Sequence, residues 1–134
     1  MNAGRLLAVA GAIVATGLGA VLGLFEAFLT PLRLPHSTYL PVALLLAIIG
    51  NPALSWFAAE VTGKRFAAIL PAGAWCAVWF IAATKTREGD LIITGNNWVG
   101  LVTLLAGPIA FALGIFLPVM LEQRRTLPPK PPTV

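Results

Sequence analysis

Four apolar runs, each about 20 residues or more and separated by short polar breaks, confine this chain to one architecture. They cover Leu6–Leu29, Thr38–Val61, Phe66–Thr84 and Asn97–Leu121. At ~1.5 Å per residue each helix would cross a hydrocarbon layer of ~30 Å. Lipid offers no partners to backbone N–H and C=O groups, so a spanning segment must satisfy them internally, as a helix or within a closed barrel. The period-two alternation of barrel strands is missing here. The sequence therefore predicts an all-α, polytopic membrane protein: an antiparallel bundle of four transmembrane helices in one domain over residues 1–126, followed by a proline-rich tail, 127–134, with no core of its own.

Composition agrees. Of 134 residues, 58% are hydrophobic and only 10% charged, against ~25% charged in ordinary soluble domains. The net charge of +4 does not indicate nucleic acid, because the basic residues sit at segment ends without a basic stripe. Topology accounts for them. Arg5, Lys64, Arg65, Arg124, Arg125 and Lys130 fall on one side and Arg33, Lys85 and Arg87 on the other, which predicts that both termini are cytoplasmic. A signal peptide is the rival reading of the first run, but its h-region spans only ~7–15 residues, so an uncleaved span is expected.

The breaks are legible too. Thr30–Ser37 carries Pro31 and Pro35, and Thr62-Gly63-Lys64-Arg65 is short enough to force a hairpin between the second and third spans. Leu91–Asn96 is a β-branched patch too short to span, expected as an extended surface turn. Tyr39, Trp98 and Trp79 are placed at the outer interface, where amphipathic rings are favoured.

Helices in lipid associate through close backbone approach and interhelical hydrogen bonds, both of which select small residues. The first span repeats Gly11, Ala15, Gly19, Gly23 and Ala27 every four residues. The second repeats Ala43, Ala47, Asn51, Ser55 and Ala59, and the fourth places Gly100, Gly107 and Gly114 seven apart. These faces either hold the four helices together or, in part, receive a partner subunit.

Polar residues inside the runs are the candidate functional groups. Asn51 falls near the middle of the second span, Pro52 removes a donor and frees the Ile48 carbonyl, and Ser55 lies one turn on. A hydrogen bond that fixes helix register is the favoured reading; a midplane ligand contact like those of broken transporter helices is the other. Glu26, near the outer end of the first span, could reach Arg33 or His36 in the loop. Glu60 stands four residues before Lys64, the favourable order for a helical ion pair. Trp75 and Trp79 share a face of the third helix, as packing, as interface anchors or against a hydrophobic cofactor such as a quinone.

Known chemistries are poorly supplied. Cys76 is the lone cysteine and His36 the lone histidine, which excludes an intrachain disulfide, a thiolate pair and bis-histidine ligation. Glu88-Gly89-Asp90 offers too few oxygens for calcium. No His-Glu-x-x-His or membrane Gly-x-Ser-Gly pattern occurs, so no catalytic residue, cofactor or metal is expected.

From Gly50 to Gly107 the order Gly-Asn-Pro, Thr-Gly-Lys-Arg, Leu-Pro with tryptophan, Arg-Glu-Gly-Asp and Gly-Asn-Asn-Trp resembles an uncharacterised family of small four-helix membrane proteins of actinobacteria, including mycobacteria. The resemblance implies four spans and a plasma-membrane location, and brings no activity. The expectation that follows is a non-catalytic accessory or scaffold subunit of a larger plasma-membrane complex, or alternatively a small oligomeric transporter or channel. Its expected partners are the lipid bilayer and another membrane protein or a second copy.

Overall fold

The computed structural model of the chain describes residues 2–35, 38–84, 93 and 96–126, with side chains as far as residue 123. These are helical almost throughout: α1 (Ala3–Leu29), α2 (Val42–Thr62), a 3₁₀ turn (Arg65–Ala68) that leads into α3 (Ile69–Ala83), and α4 (Trp98–Thr126). Four helices, counting the 3₁₀ turn with α3, are long and apolar enough to cross a membrane. His36, the acidic turn, four of the six residues of the Leu91–Asn96 patch and the proline tail lie outside the described residues.

Local chemistry sets the ends. The Thr30 hydroxyl donates to the Ala27 carbonyl at 2.8 Å and takes up one of the last free acceptors of α1. Gly63, at φ 66°, adopts the left-handed conformation that ends α2 and that glycine reaches without the Cβ penalty. Asn97 accepts from the Gly100 N–H at 3.2 Å at the start of α4. In the loop between α1 and α2, Arg33 and Tyr39 form an isolated antiparallel bridge.

The glycines reveal how the helices pair. Gly19 abuts Pro71 and Gly23 abuts Trp75; both helices advance four residues in the same direction, so α1 and α3 run parallel. Asn51 reaches Gly107 and Ser55 reaches Phe111, the same step for α2 and α4. Gly11 against Val61 and Gly50 against Leu22 run oppositely, as an antiparallel α1–α2 pair requires. Consecutive helices alternate in direction as expected, but α3 packs on α1, α4 packs on α2, and α2 meets the next segment mainly at the 3₁₀ turn. The short link thus reverses the chain without laying α3 along α2.

Close pairs are built on small residues and the wide gap on large ones. A Cβ at Gly114 would stand 2.7 Å from Pro52 Cα, and one at Gly19 2.7 Å from Pro71 Cα, closer than carbon contacts allow. The α3–α4 side has few close backbone approaches and is filled by Trp75, which packs edge-on against Phe111 with centroids 6.0 Å apart. Outward, Leu7, Ile13, Ile49, Phe80, Leu105 and Ile109 are exposed. An apolar surface of this extent is covered by lipid in a membrane protein and would drive aggregation in water.

Candidate functional site

Inside this apolar bundle Glu26, Asn51, Ser55 and Thr103 are all fully buried. Each sits on the face its helix turns to a neighbour. Glu26 is three residues beyond Gly23 on α1, so the stripe that brings α1 onto α3 also carries a carboxyl inward. Trp75 Nε1 donates to Glu26 Oε2 at 2.7 Å. Trp79, stacked on Trp75 with centroids 5.1 Å apart and planes 25° from parallel, turns its N–H toward the same carboxyl without completing a hydrogen bond. Glu26 Oε1 likewise has no partner among the described residues.

The expected reach of Glu26 to Arg33 is not made. Arg33 instead donates to the Tyr39 hydroxyl and lies over its ring, 4.1 Å from the centroid, and His36 falls outside the described residues. Trp79, expected as an interface anchor, is fully buried. Glu60 does not pair with Lys64, because Gly63 ends the helix between them and Lys64 is extended. The ion pair at that end joins Arg65 and Glu122 across 3.7 Å, both exposed, where such a pair contributes little.

The second polar group ties α2 to α4. Asn51 Nδ2 donates to the Gly107 carbonyl at 3.3 Å and Ser55 Oγ to the Phe111 carbonyl at 3.0 Å, on the side of α2 where Pro52 backs onto Gly114. Interhelical bonds of this kind contribute on average ~0.6 kcal/mol each. Asn51 Oδ1 and Thr103 Oγ1 have no partner among the described residues. The two polar groups meet at Gly107, whose carbonyl serves Asn51 and whose missing Cβ makes room for the Trp75 ring.

The glycine faces are occupied within the chain. Gly11 packs on Val61, Gly19 and Gly23 on α3, Gly107 on Trp75, Gly114 on α2, and Gly100 on Ile93. They do not by themselves call for a partner. The partners of Glu26, Trp75 and Trp79, were not assigned to it from sequence. The signal available was that Glu26 continues the Gly19–Gly23 face; which helix that face meets depends on tertiary pairing.

Two apolar hollows flank the lipid-facing side of α2. One, of about 400 Å³, lies between Leu18, Phe25, Ala53 and Phe57; the other, of about 460 Å³, between Ile48, Ala53, Trp56 and Leu117.

Fold and site together define a multi-pass membrane protein with a carboxyl enclosed in its bundle. Compared with protein-family models, curated proteins and solved structures, the chain matches none.

Proposed function

We propose that this chain is a small carrier of the bacterial plasma membrane, non-catalytic, in which Glu26 is the group that binds the moving charge. The observation that carries the reading is the Glu26 carboxyl itself, fully buried, with one indole N–H on one oxygen and no partner on the other among the described residues. A charged group inside a bilayer is costly, ~2.5–3.5 kcal/mol at the centre of a span and less toward its ends, where Glu26 stands three residues before the end of α1, and ionisable groups within spans typically mark ion or proton paths. A residue kept only for packing would avoid that cost. The Asn51 and Ser55 contacts hold α2 to α4. Both termini face the cytoplasm in this proposal, on the balance of lysine and arginine.

Infrared difference spectra of the reconstituted protein between about pH 3 and about pH 9, a range that brackets the ordinary glutamate value with a wide margin above it, test this reading. Proton exchange at Glu26 gives a carboxyl band that is absent from the Glu26→Gln protein. Identical difference spectra for the two would show a sealed, structural carboxyl and defeat the proposal.

A second reading, an accessory or scaffold subunit, draws on the hollows beside α2, which would receive a partner's helix at bilayer depth. Gentle purification at native expression followed by native mass determination separates the two. Stoichiometric recovery of a larger complex favours the subunit, and recovery of a monomer or homo-oligomer favours the carrier.

A further inference from the structure

The Trp75 indole lies in a slot built to its outline. A Cβ on Gly107 would collide with its six-membered ring, and one on Gly23 would stand 3.1 Å from its Cδ1. Trp79 covers one face and Phe111 meets it edge-on, while Glu26 takes its N–H. The slot therefore accepts a flat aromatic body that presents a hydrogen-bond donor to a carboxyl.

Its electrostatics go further than an indole requires. Trp75 is neutral, and among the described residues Glu26 Oε1 completes no hydrogen bond, although the Trp79 N–H is turned toward the carboxyl. None of the described basic residues supplies a charge. Arg33 is engaged with Tyr39 and Arg65 with Glu122, and Arg5 and Lys64 line a separate groove at the other end of the bundle. Among the described residues the groups turned toward the carboxyl are the Trp75 and Trp79 indoles, neither of them charged. A carboxyl beside stacked indole faces is a site suited to a cation, through direct charge pairing and the ring quadrupoles. Backbone of α3 approaches α4 closely at few points, so on that side the Trp75 ring itself makes the contact with α4.

We propose that the slot holding Trp75 between Gly23 and Gly107 is a ligand site closed by the protein's own indole, and that its ligand is a flat aromatic cation that takes the indole's place against Glu26. The inference rests on the carrier reading and names its substrate class. Opening moves the Trp75 ring out along the α3–α4 side, and the incoming cation pairs with the carboxyl that the indole leaves.

The test uses the full chain in nanodiscs and tritiated tryptamine, an indole bearing an ammonium group, in a scintillation proximity assay against empty discs. Unlabelled tryptamine, the neutral indole-3-acetamide and the anionic indole-3-acetate serve as competitors of the same ring and different charge. Saturable binding is expected, displaced by the amide at least about tenfold less well than by tryptamine and not by the acid. Glu26→Gln keeps an acceptor for Trp75 and should weaken tryptamine about tenfold or more, whereas Glu60→Gln leaves binding unchanged. Absence of saturable binding, equal displacement by the amide, or full binding by Glu26→Gln each overturns the proposal. The competitor series needs no variant, so a folding defect in Glu26→Gln cannot shelter it. If tryptamine fails to bind while the infrared band of Glu26 is present, the ligand class is wrong and the carrier reading stands; if the band is absent, the carrier reading itself fails.

Discussion

Two glycines of one helix, two residues apart, should respond in opposite ways to the addition of a single methyl group. Gly17 faces open surroundings, with nothing within 4 Å of where its Cβ would be, whereas a Cβ on Gly19 would stand 2.7 Å from Pro71 Cα and 2.8 Å from Pro71 C. Carbon atoms pack at about 3.5–4.0 Å, so α1 and α3 must part by about 1 Å. The obstacle is backbone, and no side-chain rotation relieves it. Overpacking of this kind costs about 1–3 kcal/mol. Parting α1 from α3 also draws Glu26 away from the Trp75 N–H, whose bond now measures 2.7 Å. Against this, alanine favours a helix over glycine by at most about 1 kcal/mol. Gly19→Ala should therefore lose about 1–3 kcal/mol, while Gly17→Ala should be neutral or gain up to about 1 kcal/mol. Unfolding in mixed micelles with rising SDS, followed by tryptophan fluorescence, measures both. Equal stability of the two variants would refute the α1–α3 pairing on which the site depends.

Further outcomes follow from the same contacts. Asn51→Leu removes the 3.3 Å bond to Gly107 and should lower stability in a thermal-shift assay by about 0.5–2 kcal/mol; no loss would place the amide outside the interface. Trp75→Phe keeps a ring in the slot but leaves the Glu26 carboxyl without its donor, a loss of about 1–3 kcal/mol. A double-mutant cycle with Glu26→Leu, which has no acceptor, should show positive coupling between the two sites, and strict additivity would mean that the bond contributes nothing. Cys76 is exposed on α3, so in membranes it faces lipid. A membrane-impermeant maleimide should label it only after SDS is added, and ready labelling in intact vesicles would contradict the spanning placement of α3.

How much of this was legible in the sequence depends on whether the deciding physics is local. The four spans follow from length and hydropathy, because a bilayer imposes both on each segment separately. The inward faces of α1, α2 and α4 could be read from their small residues, and Asn51 and Ser55 fell on one of them. Which helix each face meets could not be read, since parallel pairing of α1 with α3 is a property of the assembled bundle. Glu26 illustrates the difference. Judged along its own helix it lies near the outer end, within reach of Arg33; in the bundle it follows Gly19 and Gly23 onto α3 and is buried beneath Trp75. Glu60 and Lys64 show the converse, because the i, i+4 pattern assumes a continuous helix and Gly63 ends it. Trp79 is expected at the interface from its place in the third run, yet it stacks on Trp75 and is fully buried.

The central claim is that Glu26 is a working carboxyl that the bundle opens to its surroundings. Labelling of the protein in native membranes with a hydrophobic carbodiimide, followed by mass spectrometry of the intact chain and its peptides, tests this most directly. A single adduct on Glu26, diminished when tryptamine is present, is the result expected of a carboxyl that a ligand can reach. No adduct on Glu26, with or without tryptamine, would show the carboxyl to be a permanently sealed packing element.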